Sequence, residues 1–248
     1  MSLPSVRPPG TLRIVSWNIH GAIGRRRRPN PERTIAEIER MAPDILILQE
    51  VDGRTMFGRA AGAFEYVTGA LWERLPRETE ERASHIVEAR TADWPSDDIG
   101  NLLWSRFPVS SSRIIDLPGP DIENRKVIEA IVELGGRRLR VLGTHLALLP
   151  TTRLKQARTI VDHLTGIDHL PTVLGGDLNE WFPNGWVHST LSCRLPKVHA
   201  PRTWPERVPI APLDRFYASQ DVEIVARGTD ARAGVASDHR AISIDVRV

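Results

Sequence analysis

Two apolar runs, L-R-I-V-S-W-N-I-H (12–20) and D-I-L-I-L-Q-E (44–50), enclose a helical segment, and their reading decides the fold class. Each is a short stretch dominated by Ile, Leu, Val and Trp that stops abruptly at polar side chains, the pattern of a buried strand with functional groups at its end. Between them Asn30 stands before Pro31, a capping side chain followed by a residue pre-set for the first helical turn. Ile35, Ile38 and Met41 then recur at helical spacing until Pro43 stops the pattern. The order strand, helix, strand points to an α/β chain with a crossover connection.

Further along, Lys126 to Leu134 and Arg137 to His145 are β-rich runs separated by Gly135-Gly136, a hairpin signal. Antiparallel pairing therefore accompanies the crossovers. Thr151 or Thr152 is placed to cap a helix whose apolar face is Leu154, Ala157, Ile160, Val161 and Leu164, followed by a strand from Pro171 to Gly175. Val222 to Ala226 and Ala241 to Val246 read as later strands. The charged stretch from about 70 to 98 and the Pro-, Trp- and His-rich stretch 182–212 read as long surface loops.

Composition bounds the function. With 248 residues, 41% hydrophobic and 26% charged, the chain matches a soluble globular protein and excludes disordered and collagen-like classes. The expectation is a single domain over 1–248, with residues 1–10, which hold three prolines, as a flexible leader. No window approaches the roughly 18 apolar residues of a membrane span, and the leader lacks the apolar core of a signal peptide, so a cytoplasmic location is expected. The lone Cys193 excludes an internal disulfide and a thiolate-rich zinc site. A net charge of +2 is too small to argue for nucleic acid by itself.

The polar groups that end the apolar runs carry the chemistry. Asn18 and His20 follow the first, Gln49 and Glu50 the second, His145 follows V-L-G-T, Asp177 and Asn179 follow V-L-G-G, and Asp238-His239 follow A-S. Strand ends on one sheet edge converge, so these side chains can meet in one pocket. Glu50, Asp177, Asn179 and Asp238 supply oxygen ligands suited to Mg²⁺ or Mn²⁺. His145, His239 and Asp214 complete what phosphate-ester hydrolysis needs: a group to activate water and donors for the developing charge.

Seven segments occur in a defined order: S-W-N-I-H (16–20), L-Q-E-V (48–51), G-N-L-L-W-S-R-F-P-V (100–109), G-T-H-L (143–146), G-G-D-L-N (175–179), L-D-R (213–215) and S-D-H-R (237–240). In these the chain resembles the endonuclease/exonuclease/phosphatase superfamily of deoxyribonuclease I-like phosphoesterases. The resemblance implies an α/β fold, a four-layer α/β/β/α sandwich of two mainly antiparallel sheets flanked by helices, with the metal site at one end. It implies Glu50 as principal metal ligand, with Asn18 and Asp238 beside the cation or reaching it through water. Asp177 and Asn179 match the pair that holds the attacking water and the phosphate. His239 resembles the histidine held by a carboxylate, here Asp214, and His145 the one that donates to a phosphate oxygen. Either Asp177 or His239 is the general base.

Asn101, in the G-N-L-L segment, and Arg125 are candidate substrate contacts, while His20 is a loop-orienting residue or a substrate contact. His85, His163, His169, His188 and His199 fit none of the segments and read as structural. Arg25 to Arg28 read as a solvated loop or a phosphate clamp, and Trp181, Trp186 and Trp204 as stacking platforms or packing residues. The sequence thus points to a Mg²⁺- or Mn²⁺-dependent phosphodiesterase with a phosphate ester, nucleic acid or phospholipid, as partner, and it gives no basis for inferring a protein partner. A phosphomonoesterase for sugar or inositol phosphates is the alternative. A binding protein that had lost catalysis would be expected to lack a ligand or a histidine, whereas every position is filled.

Overall fold

The computed structural model describes residues 7–24, 28–90, 99–119 and 124–248. In chain order the elements are β1 (Leu12–Asn18), α1 (Pro31–Met41), β2 (Ile45–Asp52), α2 (Ala63–Arg74), β3 (Ile86–Arg90), β4 (Ile99–Ser105), β5 (Val109–Asp116), β6 (Lys126–Leu134), β7 (Arg137–His145), α3 (Pro150–Thr165), β8 (Thr172–Asp177), α4 (Trp186–Ser192), β9 (Lys197–His199), β10 (Asp214–Ala218), β11 (Glu223–Asp230) and β12 (Ala241–Arg247). The strands form two six-stranded sheets, ordered β11-β12-β1-β2-β4-β3 and β5-β6-β7-β8-β10-β9. Each sheet has one parallel pair, β1 with β2 and β7 with β8, and a helix makes each crossover.

The two-residue period of β2 shows why there are four layers. Ile45 and Ile47 point between the sheets, against a core that includes Ile128, Val141, Val173 and Phe216. Leu46 and Leu48 point outward beneath the helices, with Ile35, Ile38, Phe64 and Leu71. On the far side Leu142, Leu174 and Tyr217 pack with Ile160, Leu164 and Leu191 of α3 and α4. A strand buried on both faces reads as continuous apolar sequence, which is what D-I-L-I-L is. Gly175 lets the sheets close, since a Cβ there would stand 2.5 Å from the Phe216 ring and 3.1 Å from Ile47.

Several local expectations hold in detail. Asn30 Oδ1 accepts the Arg33 amide at 2.9 Å and caps α1, and Ala42 ends it in a left-handed conformation, φ 48°. Gly135 and Gly136, at φ 60° and 90°, close the β6–β7 hairpin with Leu134 opposite Arg137.

Others need correction. The third helix begins at Pro150 with no side-chain cap, and Thr152 is buried within it rather than capping it. The stretch from about 70 includes the last turns of α2 and the strand β3. Trp72-Glu73-Arg74 look like loop only when cut off from Phe64, Val67 and Leu71, which form the buried face one and two turns earlier. Strand β3 is an edge strand of five residues whose face is half solvated, so it lacks an apolar run. The stretch 182–212 contains the short α4 and β9. Arg7 pairs with Asp44 at 2.6 Å, which ties the described part of the leader to the body. Arg25 to Arg27 and residues 91–98 lie outside the described residues, and Arg28 is exposed.

Candidate active site

β1 and β2 are neighbours in one sheet and β7 and β8 in the other, and the site lies where these strands end. Asn18 ends β1, His145 ends β7, Asp177 ends β8 and Asp214 begins β10, while Asp238 and His239 immediately precede β12. Glu50 sits in β2 where the pairing with β4 slips between Leu48 and Val51. Its φ of 51° is unusual for a long side chain, and the bulge re-aims the carboxylate. Asn179, at φ 50°, adopts the left-handed turn that asparagine tolerates.

Asn18 joins the sheets. Its amide nitrogen donates to Glu50 Oε1 and to Asp177 Oδ2, both at 3.0 Å, and its oxygen accepts the His20 amide at 3.0 Å. Asp177 Oδ1 accepts the Asn179 amide at 2.9 Å. Asp177 Oδ2 lies 3.6 Å from His145 Nε2 and 3.7 Å from His239 Nε2, so this oxygen is the centre of the cluster. His239 Nδ1 donates to Asp214 Oδ2 at 2.8 Å, and that oxygen also accepts the Thr203 hydroxyl. Ser237 Oγ donates to the Asn18 carbonyl at 2.6 Å and accepts the His239 amide at 3.0 Å, fixing the last loop to the first strand.

The two site histidines are pushed in opposite directions. Burial works against charge on His239, but the Asp214 and Asp177 carboxylates outweigh it and raise its pKa to about 10. Burial, then the Arg125 charge, lower His145 to about 4. Its ring nitrogens face two donors, Arg125 Nη1 at 2.8 Å and Asn179 Nδ2 at 3.1 Å, so the imidazolium would oppose N–H to N–H on both sides. At neutral pH one imidazole is charged and the other neutral. The pKa of Glu50 falls below the carboxylate range: burial opposes its charge, but the hydrogen bond from His20 and the donors around it prevail. The same bond raises His20, against the effect of burial.

A divalent cation fits the donor set. Asp238 Oδ1 is buried with no hydrogen-bond partner, and it faces His20 Nδ1 at 3.7 Å, the nitrogen that Glu50 Oε2 meets at 3.2 Å. Asp177, Asp214 and His239 also place one ligand atom each within 4.8 Å of one another. There, however, Asp214 and His239 are already bonded to each other, whereas Glu50 and Asp238 share only an imidazole. Both groups are built of oxygens and imidazole without thiolate, the chemistry of hard cations.

Asn101 and Arg125 stand beside Glu50 and His145 around a small polar recess. The other five histidines bond elsewhere: His85 to Thr79 and the Ser105 carbonyl, His163 to Glu129, His169 to Asp221, His188 to Tyr217 and His199 to the Gly228 carbonyl. Trp204 donates its indole N–H to Asp238 Oδ2 at 3.2 Å and meets Trp181 edge-on at 5.4 Å, while Trp186 is exposed. Sequence reasoning gave no role to Thr203, Ser237 or Arg215. Ser237 and Arg215 lie inside the ordered segments, and that membership was the available signal, while Thr203 opens the T-W-P stretch (203–205) ten residues ahead of L-D-R. Arg215 is fully buried and donates to the carbonyls of Glu180, Phe182, Pro183 and Pro212, so it shapes the loop after Asn179.

A central carboxylate between a charged and a neutral imidazole, with oxygen ligands for a cation at its side, is the chemistry of a phosphoester hydrolase. The sequence profile of the Endonuclease/Exonuclease/phosphatase family matches residues 15–239, and the chain belongs to that family of hydrolytic phosphoesterases. The endonuclease/exonuclease/phosphatase from Beutenbergia cavernae has the same fold: TM-score 0.71, 22% identity, 98% of this chain and 72% of that one covered. D. rerio TDP2 complexed with single strand DNA product aligns at TM-score 0.69 and 18% identity over 96% of this chain and 99% of that one. The mannosyl-6-phosphatase Bt3783 of Bacteroides thetaiotaomicron aligns at TM-score 0.72 and 14% identity over 96% and 100%. No curated protein sequence matches the chain. No helix among the described residues is long and apolar enough to cross a membrane.

Proposed function

We propose that the protein is a Mg²⁺- or Mn²⁺-dependent phosphodiesterase acting on nucleic acid or a phospholipid. One observation carries this reading: the residues around Asp177 border a space large enough for a substituent on the phosphate. Beyond Glu50 and His145 is the polar recess lined by Asn101, Arg125 and Lys126, and beyond His20 and Asp238 is a cavity of about 730 Å³. The cavity has room for one substituent of a diester, while the recess, at about 20 Å³, admits no more than a phosphate oxygen, so the second substituent has to lie outside it.

Glu50 and Asp238 would hold the cation, with Asn18 fixing Glu50 against Asp177. When bound, the cation supplies positive charge for a phosphoryl oxygen. Each Asp177 oxygen accepts one amide hydrogen bond, Oδ1 from Asn179 and Oδ2 from Asn18, and Oδ2, which also faces both histidines, would take the proton of the attacking water through its other lone pair. Neutral His145 can accept at one nitrogen only, yet Arg125 and Asn179 both donate toward it. Asn179 Nδ2 also donates to the Leu146 carbonyl at 2.9 Å, so the ring is held between fixed donors beside Asp177. His239, protonated against Asp214, donates from Nε2 to the charge that develops on phosphate or leaving group.

A substrate panel with Mg²⁺, Mn²⁺ and EDTA arms tests this. Bis-p-nitrophenyl phosphate and either nucleic acid or a phospholipid should be cleaved with metal and spared with EDTA. Hydrolysis of phosphomonoesters alone would make the protein a phosphatase instead.

A further inference from the structure

The cavity beyond Asp238 differs in kind from the recess on the opposite side. Its inner wall is the site itself, His20 and Asp238. Its outer wall is more apolar than polar: Ile23 from the loop after β1, and Pro205 and Val208 from the loop between β9 and β10, with the exposed Arg207 between the last two. Val208 is 71% exposed, an aliphatic side chain at the lip of a catalytic trench. The volume of about 730 Å³ lies within the roughly 300–1,000 Å³ of small-molecule sites. The polar recess across the site holds only about 20 Å³, room for little more than a phosphate oxygen or water.

The outer wall is built, not loose. Glu206 N donates to the Asp238 carbonyl at 2.8 Å, and Arg240 Nε donates to the Glu206 carbonyl at 2.7 Å. Trp204 is tied to Asp238 through its indole and to Ala211 and Ile210 through the backbone. Glu206 is buried against Gly234, where even a Cβ would stand 2.5 Å from its carboxylate. The loop that carries Pro205 and Val208 is thus fastened to the residue that forms the cavity floor. A preformed apolar wall continuous with a charged site binds one kind of ligand well: a molecule with a phosphate at one end and an apolar group directly attached.

We propose that this cavity is the subsite for an alkyl or aryl group esterified to the scissile phosphate, so that the enzyme selects phosphate esters with a bulky apolar substituent on the Asp238 side. The inference rests on the phosphoesterase reading of the site and adds to it the chemistry of one substituent. Ile23, Pro205 and Val208 supply the contact area, and the 203–211 loop holds them at fixed distance from Asp238.

Calorimetric titration of the Mn²⁺-loaded protein with methyl, butyl, octyl and phenyl phosphate tests it. Each fully buried methylene strengthens binding roughly fourfold, so partial burial of an octyl chain should tighten Kd at least about tenfold over methyl phosphate. Val208→Asn, at an exposed position that does not threaten folding, should remove most of that gain and lower methyl phosphate affinity far less than octyl phosphate affinity. Ile23→Ser should act in the same direction. Equal affinity for all four esters would overturn the subsite while leaving the phosphodiesterase reading to its own panel. A chain-length gain that survives undiminished in both variants would place the apolar contact elsewhere and overturn it as well. Failure of every ester to bind would overturn the subsite and leave the phosphodiesterase reading to its own panel.

Discussion

His145 and His239 both face Asp177 Oδ2, at 3.6 and 3.7 Å, yet the groups behind each ring hold them in opposite charge states. Behind His239 stands Asp214, and behind His145 stands Arg125. Because folding raises the pKa of His239 from 6.5 to about 10, the native state keeps a proton the unfolded chain releases. That stability is complete below pH 6.5 and is lost as pH climbs toward 10. Folding lowers His145 to about 4, so between pH 6.5 and 4 the unfolded chain takes up a proton that the native state refuses, and stability falls as pH falls. For these two groups the Tm of the EDTA-treated protein should peak near pH 6.5, and Asp214→Asn should flatten the alkaline limb in scanning calorimetry. A level Tm from pH 6.5 to 9.5 would show that His239 is not charged in the native state. In activity, His239→Ala should lower kcat roughly 10²-fold or more, and Asp214→Asn should do less because it acts through the imidazole.

At the scale of elements, β10 holds the loop after β8 through a single side chain. Arg215 lies next to Asp214 and points away from the site, into the carbonyls of Glu180, Phe182, Pro183 and Pro212 at 2.6–3.2 Å. Replacing it with Met leaves those acceptors without their donor in a water-poor interior and should cost about 3 kcal/mol or more in urea unfolding. Lysine should rescue little, because a point charge cannot span carbonyls that a planar fork reaches together. Unchanged stability in Arg215→Met would mean that the loop finds other donors. The same loop shows what a sequence can and cannot reveal. Glu50, Asp177 and His145 were legible because each terminates an apolar run, His239 because it lies in S-D-H-R just ahead of one, and their order along the chain pointed to the family. The helix α1 was legible from Asn30-Pro31 and the spacing of Ile35, Ile38 and Met41. Arg215 was not, since nothing local separates an arginine that binds distant carbonyls from one in water. Strand β3 was hidden for a related reason: its partners come only from β4, so its own residues carry little apolar signal. The four layers themselves came from the family resemblance, because pairing between distant strands leaves no local pattern.

On the scale of the whole molecule, the site is where the two sheets meet through polar groups instead of aliphatic ones. Between the sheets Ile47 approaches Gly143 and Gly175, and at the strand ends this apolar contact gives way to Asn18 bridging Glu50 of one sheet and Asp177 of the other. Glu50, Asp177 and Asp238 bring negative charge to one end of the sandwich, and only His20 stands between Glu50 and Asp238. Without a cation, this end should be the weakest part of the inter-sheet contact, since carboxylates drawn together from both sheets repel one another when dehydrated. A cation that binds only the folded chain stabilises it by mass action, by about 2.7 kcal/mol at a hundredfold excess over Kd. For a chain of 248 residues each kcal/mol moves Tm by roughly 2–4 °C, so saturating Mg²⁺ or Mn²⁺ should raise Tm by about 5–10 °C. Glu50→Gln removes one formal charge from the cation's side without removing the carbonyl that Asn18 bonds. Because His20 and Asn18 already favour the Glu50 charge in the fold, the variant should melt no higher than the wild type in EDTA, and it should gain less on adding metal. If both proteins instead show the same Tm with and without saturating metal, the cation does not sit between Glu50 and Asp238, and the repulsion at this end of the sandwich is relieved by His20 and Asn18 alone.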